Sequence, residues 1–112
     1  MNTVKMKIVY NDFLPFKGYK CINLFGILFV RNGTVMSDEV LNHEAIHTAQ
    51  MKELWYIGFY LLYVFEFLIK LILIRNWHKA YRDISFEQEA FKNENDMDYL
   101  LNRKPYEWKK YW

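Results

Sequence analysis

The chain has 112 residues, the size of one ordinary domain, and its 15 basic and 13 acidic side chains leave a formal net charge of +2 with no block of like charge, so nucleic acid is not expected as a partner. With 53% hydrophobic and 20% aromatic residues the chain is far too apolar to stay disordered. A single cysteine, Cys21, rules out an internal disulfide framework and a thiolate metal cluster, and suits a reducing compartment.

The N-terminal stretch MNTVKMKIVYNDFLPF has no continuous apolar run and no small-residue cleavage site. No secretory signal is expected, and the protein is expected to be cytoplasmic. Residues 4–10 alternate loosely and predict a first strand or extended arm. The run NDFLPFKGY carries Asn, Asp, Pro and Gly and reads as loop. CINLFGILFV is β-branched and aromatic; residues 22–30 predict a strand, with Gly26 as a bulge or point of close approach and Cys21 as a small core or strand residue. Asn32-Gly33 signals a tight turn, after which residues 34–36 are expected to pair back briefly.

Ser37 offers an N-cap, and Asp38 and Glu39 suit the positive end of a helix dipole, so a helix is predicted from Asp38 to about Leu54. Val40, His43, His47, Met51 and Leu54 recur at spacings of three and four and form one inward stripe. Residues 54–74, LWYIGFYLLYVFEFLIKLILI, are nearly apolar throughout and long enough to cross a bilayer. Glu66 and Lys70 lie within them, four apart, suited to an ion pair and costly against lipid. Two readings stand open: a helix packed inside a small domain or an oligomer, and one in contact with a membrane. A helix apolar on all sides needs cover on all sides, so homo-oligomerisation or membrane contact is expected through 54–74.

Residues 78–83 read as a short polar connection or a single helical turn, with His78 a solvated loop residue. Ser85 is a second N-cap candidate, and a third helix is predicted over 86–103 with Phe86, Ala90, Met97 and Leu101 as its apolar stripe and Pro105 as its stop. The tail YEWKKYW is too aromatic to stay free. It is expected to pack on its own domain, to plug a cleft, or to cover the apolar helix of a neighbour. The fold class is therefore α+β, mainly α. A short strand and hairpin region (1–36) packs on three helices (37–104), an active-site helix, an apolar backing helix and a glutamate helix, followed by the aromatic tail (105–112).

His43, Glu44 and His47 spell H-E-x-x-H. Residues four apart on a helix stand one above the other, roughly 6 Å between Cβ atoms, so two imidazoles so placed can reach one zinc at about 2.0–2.1 Å. Glu44 is turned by about 100° from His43 and can face a water on the metal, as a general base must. Average residue usage produces this pattern by accident on the order of once in a few hundred chains of this length, and here it falls on a predicted helix with both histidines on the inward stripe. A catalytic zinc also needs a third protein ligand. No H-E-x-x-H-x-x-G-x-x-H extension follows His47, so a carboxylate on another helix is expected. Glu87, Glu89 and Glu94 are the candidates; Glu87 and Glu94 share a helix side, and Glu89 points about 200° away from Glu87.

His43-Glu44-x-x-His47 followed by Glu87-x-x-Ala90 resembles the gluzincin metallopeptidases, whose third ligand sits in an E-x-x-A/S-D pattern. The small size is similar to that of the soluble minigluzincins, and the apolar second helix to that of the membrane-embedded BlaR-type and CAAX-processing peptidases. The resemblance covers about residues 20–102, but only the two short motifs are specific. It implies a zinc-dependent peptide-bond hydrolase, with one zinc per chain on His43, His47 and Glu87. Glu44 activates the zinc-bound water, and a peptide or protein substrate pairs with the strand before the active-site helix. The Asp that follows Ala in the pattern is Phe91 here, so Asp98, Glu94 or a backbone carbonyl must orient the histidine instead, which implies a latent or weakly active enzyme. Tyr81 and Tyr99 are candidate oxyanion donors, each also a candidate packing tyrosine. The alternative is a non-catalytic metal-binding protein, or one that uses its aromatic helix to associate with a membrane or partner.

Overall fold

The computed structural model describes residues 6–15 and 19–112. Val4 and Lys5 of the expected first strand, and Phe16, Lys17 and Gly18 of the expected loop, lie outside the described residues. The architecture is α+β and mainly α, with three short strands followed by the helices. Strands β1 (Lys7–Asn11), β2 (Cys21–Leu24) and β3 (Ile27–Arg31) form one sheet in the order β1-β3-β2; β1 runs parallel to β3 and β2 antiparallel.

The single strand expected over 22–30 is instead a hairpin. Phe25 (φ 54) and Gly26 (φ 86) both adopt left-handed backbone, as a two-residue primed turn requires. Gly26 is thus the corner and not a bulge, and the Thr48 methyl stands 3.5 Å from where its Cβ would be. Folding back at this point makes β2 an edge strand. Asn32-Gly33 does turn the chain, with Thr34 N–H donating to the Arg31 carbonyl (3.1 Å), but residues 34–36 form no strand.

Helix α1 (Asp38–Glu53) begins as its sequence predicts, with Ser37 Oγ accepting from Val40 N–H at 3.2 Å. His43, His47 and Met51 of its stripe are buried, and Val40 and Leu54 half-buried. It ends without glycine or proline. Trp55 (φ 58) and Tyr56 (φ 62) take left-handed backbone, and Tyr56 N–H donates to the Met51 carbonyl at 2.8 Å. The next helix, α2 (Ile57–Ile74), therefore folds back on the first. Its mean hydropathy is 2.2, yet only 11% of it is buried, and it is long and apolar enough to cross a membrane.

The polar connection expected at 78–83 is a helix, α3 (Trp77–Asp83), capped by the Asn76 side chain, which accepts from Lys79 N–H at 3.0 Å. The long third helix breaks into α4 (Ser85–Asn93) and α5 (Tyr99–Asn102). The cause is local: Asp96 Oδ1 accepts from Asp98 N–H (3.1 Å) and Asn93 Nδ2 donates to the Glu89 carbonyl (2.8 Å), side-chain bonds that compete with helical ones. Met97 and Leu101 are consequently exposed, while Phe86 and Ala90 are fully buried.

The expected Glu66–Lys70 pair is also absent. Lys70 reaches Asp83 (2.7 Å), and Glu66, 3% exposed, accepts from the backbone N–H (2.8 Å) and Oγ (2.6 Å) of Ser85. Ser85 is therefore not the cap of α4. A buried carboxylate at a helix start satisfies free N–H groups and meets the positive end of the helix dipole, a better partner than a flexible, half-exposed lysine.

The core is built from Met51, Phe59, Ile84, Phe86 and Trp108. Trp108 belongs to the tail, which forms a 3-10 turn (Glu107–Tyr111) against α4 with the indole 4.9 Å from the Phe86 ring. The tail thus packs on its own domain and does not line the cleft described below. Trp108→Ala is expected to lower unfolding stability by about 3–5 kcal/mol, the cost of emptying a buried aromatic site. A denaturant titration read by circular dichroism measures it; an unchanged midpoint would show that the tail is only loosely attached.

Candidate metal centre

Three elements bring the centre together. His43 and His47 come one turn apart from α1, and Glu87 comes from the first turn of α4, two residues after the Ser85–Glu66 anchor. All three side chains are buried, and their ligating atoms lie within 4.8 Å of one another, so the group could hold a metal ion. His43 Nε2 and His47 Nε2 are each 3.1 Å from Glu87 Oε1 and 3.1 Å from each other.

The remaining atoms of these side chains decide what that triangle contains. His43 Nδ1 is 2.8 Å from Glu94 Oε1, and a carboxylate can only accept, so Nδ1 carries the hydrogen. The Gln50 amide nitrogen donates to the Phe86 carbonyl (3.0 Å) and to Glu89 Oε1 (2.9 Å), which turns its oxygen towards His47 Nδ1 at 2.8 Å. His47 Nδ1 therefore donates as well. In the neutral rings both Nε2 atoms then present lone pairs to each other and to a carboxylate oxygen, an arrangement that requires a cation. Ligands on one tetrahedral zinc at about 2.0–2.1 Å stand about 3.3 Å apart, close to the observed spacing, so two imidazoles and a carboxylate fit a divalent ion of this kind.

Electrostatics point the same way. Burial opposes charge on His47, but the adjacent Glu87 carboxylate outweighs it and, with help from Glu44 and Gln50, lifts the imidazole to about 9. Burial likewise opposes charge on Glu87, yet the histidines and Tyr63 hold it well below the usual carboxylate range. Without metal, a proton on His47 takes the centre.

Of the three candidate carboxylates, Glu87 alone joins the histidines in the group that could hold a metal ion. Glu94 instead orients His43, the role for which Asp98 and a backbone carbonyl were the other candidates. Phe91, standing where the pattern has Asp, packs edge-on against the His43 ring at 4.5 Å. Glu89 is fully buried on the far side of α4, held by Arg103 Nε and by Tyr99 Oη (2.6 Å), and Arg103 also grips Glu53 with two bonds of 3.0 Å. Tyr99 is thus a structural hydroxyl. His78 is exposed, as expected of a solvated residue.

A cleft of about 290 Å³ opens beside the centre. One wall is the edge strand β2, Cys21 to Leu24; Glu44, His47 and Met51 contribute from α1; Tyr63, Tyr81 and Glu87 face them from the other helices. Burial raises the Glu44 carboxyl, while His47 and His43 pull it back down. Burial, reinforced by the charge on Glu87, raises the Tyr63 and Tyr81 hydroxyls, so both remain donors. Tyr63 Oη donates to Glu87 Oε2 at 2.6 Å, leaving Oε1 as the oxygen that faces the histidines. Asn23 ties the strand to α1, donating to the Glu44 carbonyl (3.0 Å) and to Thr48 Oγ1 (2.9 Å). Cys21 is half-buried in β2, and desolvation with the nearby Glu44 pushes its thiol up to about 12.

Asn23, Tyr63 and Gln50 were not singled out from the sequence. Gln50 could have been, because it lies three residues after His47 on the same helix face. No family model matches the chain, and comparison with curated proteins and with solved structures finds no match.

Two measurements test the centre. In chelator-treated protein the His47 pKa of about 9 lies above the ordinary imidazole value of 6.5. The proton therefore stabilises the fold fully below pH 6.5, and that stability is lost as pH rises through about 9. Thermal melting points should fall across that window, and a flat profile would contradict the assignment. Separately, Glu94→Ala should weaken metal binding by about 10–100-fold, the usual effect of removing the partner of a ligating histidine; competition with a chromophoric chelator reads it.

Proposed function

We propose that the protein is a zinc-dependent peptide-bond hydrolase of gluzincin type, with His43, His47 and Glu87 as ligands and Glu44 as general base. The observation that carries this reading is the triangle of lone pairs at 3.1 Å, opening on a cleft that also holds Glu44 and the outer edge of β2, where the Asn23 carbonyl accepts from Tyr60 Oη. Two imidazoles and one carboxylate suit zinc and leave a fourth position for water. When bound, the ion supplies Lewis acidity, lowering the pKa of water and polarising a carbonyl.

The chain's own residues supply the rest. An extended peptide adds to the free edge of β2, with backbone hydrogen bonds that set its direction and leave sequence selection to the side pockets. Glu44 takes the proton from the attacking water at a carboxylate oxygen and returns it to the departing nitrogen. Burial raises its carboxyl although His47 and His43 pull it down, the direction a group that both takes and returns a proton needs. Tyr81 is the cleft hydroxyl available to a developing oxyanion, since Tyr63 is committed to Glu87 and Tyr99 to Glu89. Glu94 in place of the pattern's Asp keeps His43 oriented through its carboxylate oxygen at 2.8 Å from Nδ1.

Metal analysis of the purified full chain tests the reading. One zinc per chain is expected, lost in His43→Ala and Glu87→Ala and retained in Glu44→Gln. The last variant should lose about 10²–10⁴-fold in cleavage of unstructured peptides, the contribution of a general base. Glu89→Ala should cost stability but keep the metal. Protein that takes up no zinc on reconstitution would overturn the proposal, and zinc-loaded protein that cleaves nothing would leave a non-catalytic metal protein.

A further inference from the structure

The outer face of α2 does not belong to the metal centre. Ile57, Leu61, Val64, Phe65, Leu68 and Ile72 are each more than half exposed, and at 100° per residue they fall within about 100° of arc. Ile69 and Leu73, also exposed, widen the face to about 180° without one polar side chain. The polar groups of the helix all lie on the opposite side. Tyr60, Tyr63, Glu66 and Lys70 bond to Asn23, Glu87, Ser85 and Asp83 respectively. The helix is thus divided lengthwise, with chemistry inward and hydrocarbon outward.

Its ends carry a second mark. Trp55 is 87% exposed just before the helix and Trp77 is 70% exposed just after it. Exposed Lys52 accompanies the first, and exposed Arg75 and Lys79 the second. Tryptophan prefers the boundary between hydrocarbon and water, and lysine and arginine there meet anionic headgroups.

The ends of the face distinguish between occupants. A second copy packing on the apolar stripe has no need of an exposed tryptophan and exposed cations at each end, whereas a lipid surface places both at its headgroup level. Crossing the bilayer is disfavoured, because α3 lies against α2 and would carry exposed His78, Lys79 and Arg82 into hydrocarbon.

We propose that α2 lies in the plane of a lipid bilayer surface, its outer face sunk among the acyl chains and its terminal tryptophans at headgroup level. This goes beyond the hydrolase reading and does not depend on it. The test is flotation of the full chain with phosphatidylcholine vesicles, with and without about 30% phosphatidylglycerol. The wild-type chain should float with both, more strongly with the anionic ones, and its tryptophan emission should shift to the blue. Alkaline carbonate should strip it from the vesicles. Leu61→Glu combined with Leu68→Glu should weaken partitioning by at least about tenfold while circular dichroism and metal content stay unchanged. Val35→Glu, at an exposed apolar site outside α2, should float like wild type. The proposal is overturned if wild type does not float, if the double variant floats equally well, or if carbonate fails to release the protein, the mark of a span. It is equally overturned if sedimentation shows a vesicle-independent dimer that the double substitution dissolves.

Discussion

Three electron-pair donors held 3.1 Å apart in a buried site cannot be left to repel one another. That single constraint organises the molecule. Hydrogen bonds on the far sides of both imidazoles fix their hydrogens on Nδ1, so neither ring can relieve the centre by changing tautomer. The site must hold positive charge, as a proton or as a metal ion, and the surrounding residues hold a geometry that could accept either. A histidine pair on an ordinary surface helix carries no such obligation.

Each outer contact can be traced to that need. Glu66 reaches from α2 to the start of α4 and so sets the height of Glu87. Asn23 fastens β2 alongside Glu44 and keeps a strand edge next to the His43, His47 and Glu87 group. A chain of buried polar groups runs from His47 through Gln50 and Glu89 to Arg103 and Glu53. Buried polar groups left half-satisfied would cost more than they contribute, and here the chain closes on an arginine that bonds two carboxylates at once.

Much of this was legible before any coordinates. The helix carrying H-E-x-x-H announced itself through Ser37, the acidic first turn and the spacing of its stripe, whereas Glu87 stood beside Glu89 and Glu94 as a candidate and was singled out only by the resemblance of Glu87-x-x-Ala90 to the gluzincin pattern. The hairpin at Phe25-Gly26 was missed because a phenylalanine in left-handed backbone gives no turn signal; Tyr56 and Tyr60 hold it from outside the strand, and the Asn23 side chain from within β2. The corner at Trp55-Tyr56 was hidden in the same way. The break after Asn93 was overlooked because apolar spacing continued through Met97 and Leu101 while Asn and Asp side chains competed for the backbone. In α2 the run of apolar letters masked a second pattern. Tyr60, Tyr63, Glu66 and Lys70 recur every three or four residues and trace the inward face, so the helix was never uniform around its circumference.

The link from His47 to Arg103 bears on how the protein is made. Synthesis proceeds from the N-terminus, so both histidines leave the ribosome long before the arginine that braces the carboxylate behind them. Until then Glu89 has no cation to receive it and Gln50 no fixed neighbour to turn its amide. Completion of the group that could hold a metal ion is therefore an event of late translation or after it, and a nascent chain paused in α4 would display two imidazoles without the scaffold that tells them apart from any others in the cell.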